Sequence, residues 1–190
     1  GLFRIVAYFS AIGFAYLAVE IAAIQQLGLL LGHPVYAVVT VLAAFLVCSG
    51  AGSVWSDRFV RPRPASVAGI LVLVLALYAA ILPTLVHLLQ PAPLLVRGAV
   101  AFVLLGPLAL VMGMPFPLGI RNVARSDSTG TAWAWASNGF ASVTAAPLAA
   151  LIALELGAVA LLVTGGVAYG IAALSARYAV PSEQGGYPGG

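Results

Sequence analysis

The chain has 190 residues, 63% of them hydrophobic and 7% charged, with no lysine and a mean hydropathy of +1.11. So little polar surface cannot clothe a water-soluble globule, which excludes a soluble enzyme or binding module and implies a polytopic membrane protein. The net charge of +3 comes from arginines scattered in short loops. No basic face of the kind that binds nucleic acid is present.

A membrane span takes roughly 20 largely apolar residues, and six segments qualify, at about 5–31, 35–56, 66–89, 94–120, 131–155 and 157–178. The expected fold is all-α: a polytopic membrane bundle of six transmembrane helices, with span four broken by a Pro/Gly motif. Residues 1–180 form the six-helix domain and 181–190 a flexible Gly/Pro-rich cytoplasmic tail. In this layout Arg4, Arg58, Arg61, Arg63, Arg121, Arg125 and Arg177 share one side, and Arg97 alone lies on the other. Arginine-rich short loops stay inside, so both termini are expected in the cytoplasm. The chain opens on Gly1 rather than methionine, and the expectation is a processed product or a piece of a longer protein. Its first apolar run is too long for a signal peptide, contains Glu20 and ends in no small-residue cleavage site.

Span one sets Gly13, Tyr16 and Glu20 on one helical face by three- and four-residue spacing. A carboxylate at mid-bilayer costs about 2.5–3.5 kcal/mol on insertion scales, so Glu20 has to be protonated, hydrogen-bonded or turned to a polar interior. One reading is a proton or cation site; the other is an interhelical hydrogen bond that fixes packing. Gln25 and Gln26 are further candidates for such a site. Gly28 and Gly32 form a small-xxx-small pattern that admits another helix at close range, and Pro34 ends the helix at His33. His33 and His87 fall at the outer end, where a metal, a haem or a pigment has a conceivable ligand and a solvated histidine is the plainer alternative. No cofactor is expected otherwise.

Span two closes on Ser49-Gly-Ala-Gly-Ser53, a cluster suited to tight helix contact. The following Asp57-Arg58-Phe-Val-Arg61 loosely resembles the cytoplasmic loop motif of major facilitator transporters, or is a positive-inside loop holding an incidental acid. Cys48 has no partner, so there is no disulfide framework or thiol metal site. In span four, Gly113, Pro115, Pro117 and Gly119 interrupt the helix. In lipid a broken helix is tolerated where protein or a cavity takes up the freed carbonyls, as at transporter sites; the alternative is a helix ending early at the interface. Span five opens on Trp133 and Trp135, suited to the interfacial aromatic belt, and presents a polar edge through Asn138 and Ser142. Pro147 is expected to kink it, and Glu155 falls near its outer end.

Three blocks carry a resemblance: Val19-Glu-Ile-Ala-Ala-Ile-Gln-Gln through Leu31-Gly-His-Pro-Val-Tyr36; Gly113-Met-Pro-Phe-Pro-Leu-Gly-Ile-Arg121; and Trp133-Ala-Trp-Ala-Ser-Asn-Gly-Phe-Ala-Ser-Val143. In this order they resemble the membrane portion of bacterial spermidine-synthase-like proteins, a multi-span region fused to an aminopropyltransferase-type domain. The resemblance implies a bacterial inner membrane location. It does not carry over the transferase activity, because the Rossmann-like domain with its glycine-rich cofactor loop has no counterpart in this sequence. No nucleophile–base pair, metal-spaced His/Cys set or phosphate loop occurs either, so the chain is not expected to be an enzyme.

The first functional expectation is a non-catalytic membrane subunit or anchor domain, packing against partner subunits or a separately encoded soluble domain. The second is a transporter-like or sensing half-bundle for a small cation such as a polyamine, with Glu20 as counter-ion. A third is an accessory subunit of a photosynthetic or respiratory complex.

Overall fold

A computed structural model describes residues 1–56, 58, 62–124 and 128–177. The tail 181–190, Asp57, Arg61 and Arg125 lie outside them. The described chain is helical throughout: α1 (Leu2–Leu31), α2 (Pro34–Trp55), α3 (Pro64–Leu89), α4 (Leu94–Met112), α5 (Pro115–Ala124) and α6 (Ser128–Arg177). Three of these begin on proline, whose fixed φ and missing N–H suit the first helical position. Between α1 and α2 the turn is made by Gly32, left-handed at φ 72°, whose N–H bonds the Gly28 carbonyl at 3.0 Å. A side chain there would be strained. His33 follows as the N-cap of α2, its Nδ1 accepting from the Val35 N–H at 3.3 Å.

Five helical stretches are long and apolar enough to cross a bilayer: Leu2–Leu31, Pro34–Trp55, Pro64–Leu89, Leu94–Ala124 and Thr129–Ala176. Six spans were the expectation, and the difference lies in α6, which joins the fifth and sixth. Its interruption falls at Gly157, with φ 87° and ψ 166°, and the helix passes through Pro147, the expected kink site. Only glycine adopts that backbone conformation without strain. Asn138 and Tyr169, 31 residues apart, line one and the same cavity. A straight helix would hold them about 46 Å apart, so the chain turns back between them.

The innermost element is α1, which buries Ala11, Ala15, Ala18, Val19 and Ala22 and packs chiefly against α6. Small side chains let the two backbones approach: a Cβ on Gly165 of α6 would stand 2.7 Å from Val19 Cγ2. At the far end of α1, Arg97 Nη1 donates to the Leu30 carbonyl at 2.6 Å. That oxygen is among those a helix terminus leaves without an internal partner, and a cation beside it also meets the negative end of the helix dipole. The one arginine expected on the outer side thus holds α4 to α1.

Candidate functional site

The chain between α4 and α5 breaks where the sequence places two prolines and two glycines. Met112 ends α4, Gly113 and Met114 turn, and Pro115 opens α5. Pro115 and Pro117 lack N–H groups, and the carbonyl of Pro115 accepts from the Tyr8 hydroxyl at 2.8 Å. The break is held from α2 as well. A Cβ on Gly113 would overlap the Ser49 carbonyl oxygen, and one on Gly52 would overlap that of Leu110. The run Ser49–Ser53 is therefore the face on which the broken helix rests. On the other side Gly119 lies under the rings of Tyr8 and Phe9, where a Cβ would come within 2.6 Å of Tyr8 Cε1. Phe116 meets Phe9 edge-on at 5.5 Å and Trp135 at 4.6 Å between centroids. Such edge-to-face contacts add stability beyond the area they bury.

Beside the break lies a cavity of about 420 Å³. α1 contributes Ile12, Gly13 and Tyr16; α2 contributes Ser49, Gly50 and Ser53; the break contributes Met112 to Pro117; the two arms of α6 contribute Asn138, Ser142 and Tyr169. Part of its polar lining is tied to the protein. Tyr16 and Ser49 share a hydrogen bond of 3.1 Å, and Asn138 Nδ2 donates to the Phe9 carbonyl at 3.1 Å. Gly13 makes room for that bond, since a Cβ would stand 2.7 Å from Asn138 Nδ2 and 2.9 Å from Ser142 Oγ. Ser53, Ser142 and Tyr169 are different: their hydroxyls make no hydrogen bond among the described residues, and Tyr169 is 1% exposed. Elsewhere some helical hydroxyls bond their own backbone, while those of Ser10, Thr40, Thr84 and Ser175 make no hydrogen bond among the described residues. Ser137 bonds the Trp133 carbonyl at 2.7 Å, Thr144 that of Phe140 at 3.0 Å and Thr164 that of Ala160 at 2.9 Å.

Comparison with known proteins finds no matching family model, no matching curated protein and no matching solved structure. The site therefore stands on its own geometry.

Of the residues singled out in sequence, the structure gathers Tyr16, Asn138, Gly113, Pro115 and Pro117 around the cavity, with Gly119 just behind it. Glu20 is not in its lining. It is half-buried one turn beyond Tyr16 and has no hydrogen bond or ion pair among the described residues. Gln26 is buried and Gln25 half-buried further along α1, both away from the cavity and without side-chain hydrogen bonds among the described residues. His33 and His87 are exposed, and no group of three His, Cys, Asp or Glu side chains among the described residues is arranged to hold a metal. Sequence reading passed over three participants. Ser49 and Ser53 stood out only as small residues, and Tyr169 carries no signal in the sequence pattern.

Proposed function

We propose that this chain is a membrane-embedded solute-binding bundle, the transporter-like or sensing reading, and that its site is the cavity beside the broken span. The observation that carries this is one cavity of about 420 Å³ beside the broken span, into which Ser53, Ser142 and Tyr169 bring hydroxyls that make no hydrogen bond among the described residues. Inside a membrane such groups are costly unless something polar meets them. A broken helix beside the site is a feature shared with transporter binding sites, where interrupted helices present backbone and side-chain groups to the solute. The two arms of α6 make six crossings in this reading, with both termini on the arginine-rich cytoplasmic face of a bacterial inner membrane. Purified chain in lipid nanodiscs tests the proposal: saturable binding of a small solute, lost on Ser142→Leu, is expected. Solute uptake by the lipid alone, with no saturable increment from the protein, would refute it.

A second reading, as a packing subunit of a larger assembly, is favoured by one observation. Among the described residues nothing lies within 4 Å of the place a Cβ would take on Gly28 or Gly32, so none of them occupies that close-packing face. The likeness of the three sequence blocks to spermidine-synthase-like membrane regions supports a partner of this kind, a soluble domain or another subunit. A native mass in mild detergent above that of one chain supports it, and a stable monomer argues against it.

A further inference from the structure

Which solutes fit depends on charge before shape. The cavity is walled by hydroxyl, amide, aromatic and apolar groups, and among its described lining residues there is no Asp, Glu, His, Lys or Arg. An ion entering such a site gives up its hydration with no counter-charge in the wall to replace it, which is far more costly than desolvating a neutral polar group that finds hydrogen-bond partners. The partners on offer are unspent. Ser53, Ser142 and Tyr169 each keep a donor and acceptor hydroxyl, and Asn138 keeps its carbonyl oxygen and one N–H after bonding Phe9. Tyr169 is the decisive member, because its side chain is almost wholly enclosed while its hydroxyl lines the cavity and makes no hydrogen bond among the described residues. Tyr16, Phe116 and Tyr169 add ring surface to the same wall. Glu20, the one carboxylate within span one, stands outside it.

From this we infer that the cavity takes an uncharged molecule bearing both hydrogen-bonding groups and an apolar or aromatic part, rather than a cation. The inference rests on the solute-binding reading above and narrows it to a substrate class. A polar group of the ligand meets Tyr169, Ser142 and Asn138 from the α6 side, and its apolar part lies against Phe116 and Met112 at the break.

Three probes of nearly one shape and different charge separate the possibilities: benzamide, benzamidinium and benzoate. Each is presented in radiolabelled form at neutral pH to the full chain in lipid nanodiscs, with empty nanodiscs subtracted. Benzamide is expected to bind saturably and at least about tenfold more tightly than either ion. Tyr169→Phe, which removes one oxygen and little else, and Ser142→Ala are each expected to weaken benzamide by about five- to tenfold. Thr144→Val, at a hydroxyl already bonded to its own helix, leaves it unchanged. Tighter binding of benzamidinium, abolished by Glu20→Gln, would overturn the uncharged class while leaving the solute-binding reading intact. Benzamide binding indifferent to Tyr169→Phe and Ser142→Ala would overturn the assignment of these hydroxyls. If none of the three probes bound saturably, the solute-binding reading itself would fall, and this inference with it.

Discussion

Two glycine-rich stretches of this protein look alike in sequence and behave differently in space. Gly52 and Gly113 lie where α2 meets the end of α4, so tightly that a single added carbon at either would overlap a backbone carbonyl of the facing helix. Gly28 and Gly32, at the other end of α1, face open space. The small-residue pattern is thus spent internally at the break and left unspent at the far end. Close packing around the break is what holds two helix ends, two prolines and a cavity in one place within an apolar medium. The far end carries no such burden and is held by the turn at Gly32 and by Arg97 on Leu30.

Substitutions sharpen this contrast. Gly113→Val and Gly52→Val are expected to be the most damaging, at about 3 kcal/mol or more, since the displaced atoms are backbone. Gly28→Ala is expected within about 0.5 kcal/mol of the native protein. Thermal denaturation in detergent, followed by the fraction remaining monodisperse, measures both, and equal effects at the two ends would erase the distinction. Next in size is Gly157→Ala, at about 2 kcal/mol, because φ 87° with ψ 166° is closed to alanine. Tyr8→Phe follows at about 1.5 kcal/mol, leaving the Pro115 carbonyl without its donor. Smallest is Glu20→Gln. With no partner to lose among the described residues, it is expected to leave stability unchanged or raise it by up to about 1 kcal/mol, as a neutral amide suits the membrane better than a carboxylate. A loss of more than that on the same assay would mean that Glu20 holds the bundle together.

The helices themselves were legible in sequence, because span length and proline position are local properties. Pro34, Pro64 and Pro115 open helices, and the Gly113–Pro117 break falls where the residues require it. The division of the fifth and sixth segments, expected between 155 and 157, falls at the non-helical Gly157 inside α6, although the hydropathy of the two stretches gives no hint of its backbone angle. The site was half legible. Tyr16, Asn138 and the break announced themselves by polarity or by proline, and they do converge. Ser53 and Tyr169 did not, because α2 and α6 are apolar nearly all round, and periodicity then fails to say which face looks inward. Glu20 drew attention for its cost in the membrane, yet the geometry sets it one turn away from the cavity.

The central claim is that the polar cavity beside the break is a hydrated binding site within the bundle. Neighbouring residues on α6 test it most directly: Ser142 lines the cavity, whereas Val143 is 74% exposed on the bundle's outer face. On a Cys48→Ser background in proteoliposomes, each is replaced by cysteine and treated with a membrane-impermeant maleimide, which reacts with the thiolate and so needs water at the thiol. The account predicts that Ser142→Cys is modified, and is shielded by bound benzamide, while Val143→Cys stays unreactive in lipid. Equal silence at both positions, or faster labelling at 143 than at 142, would contradict it.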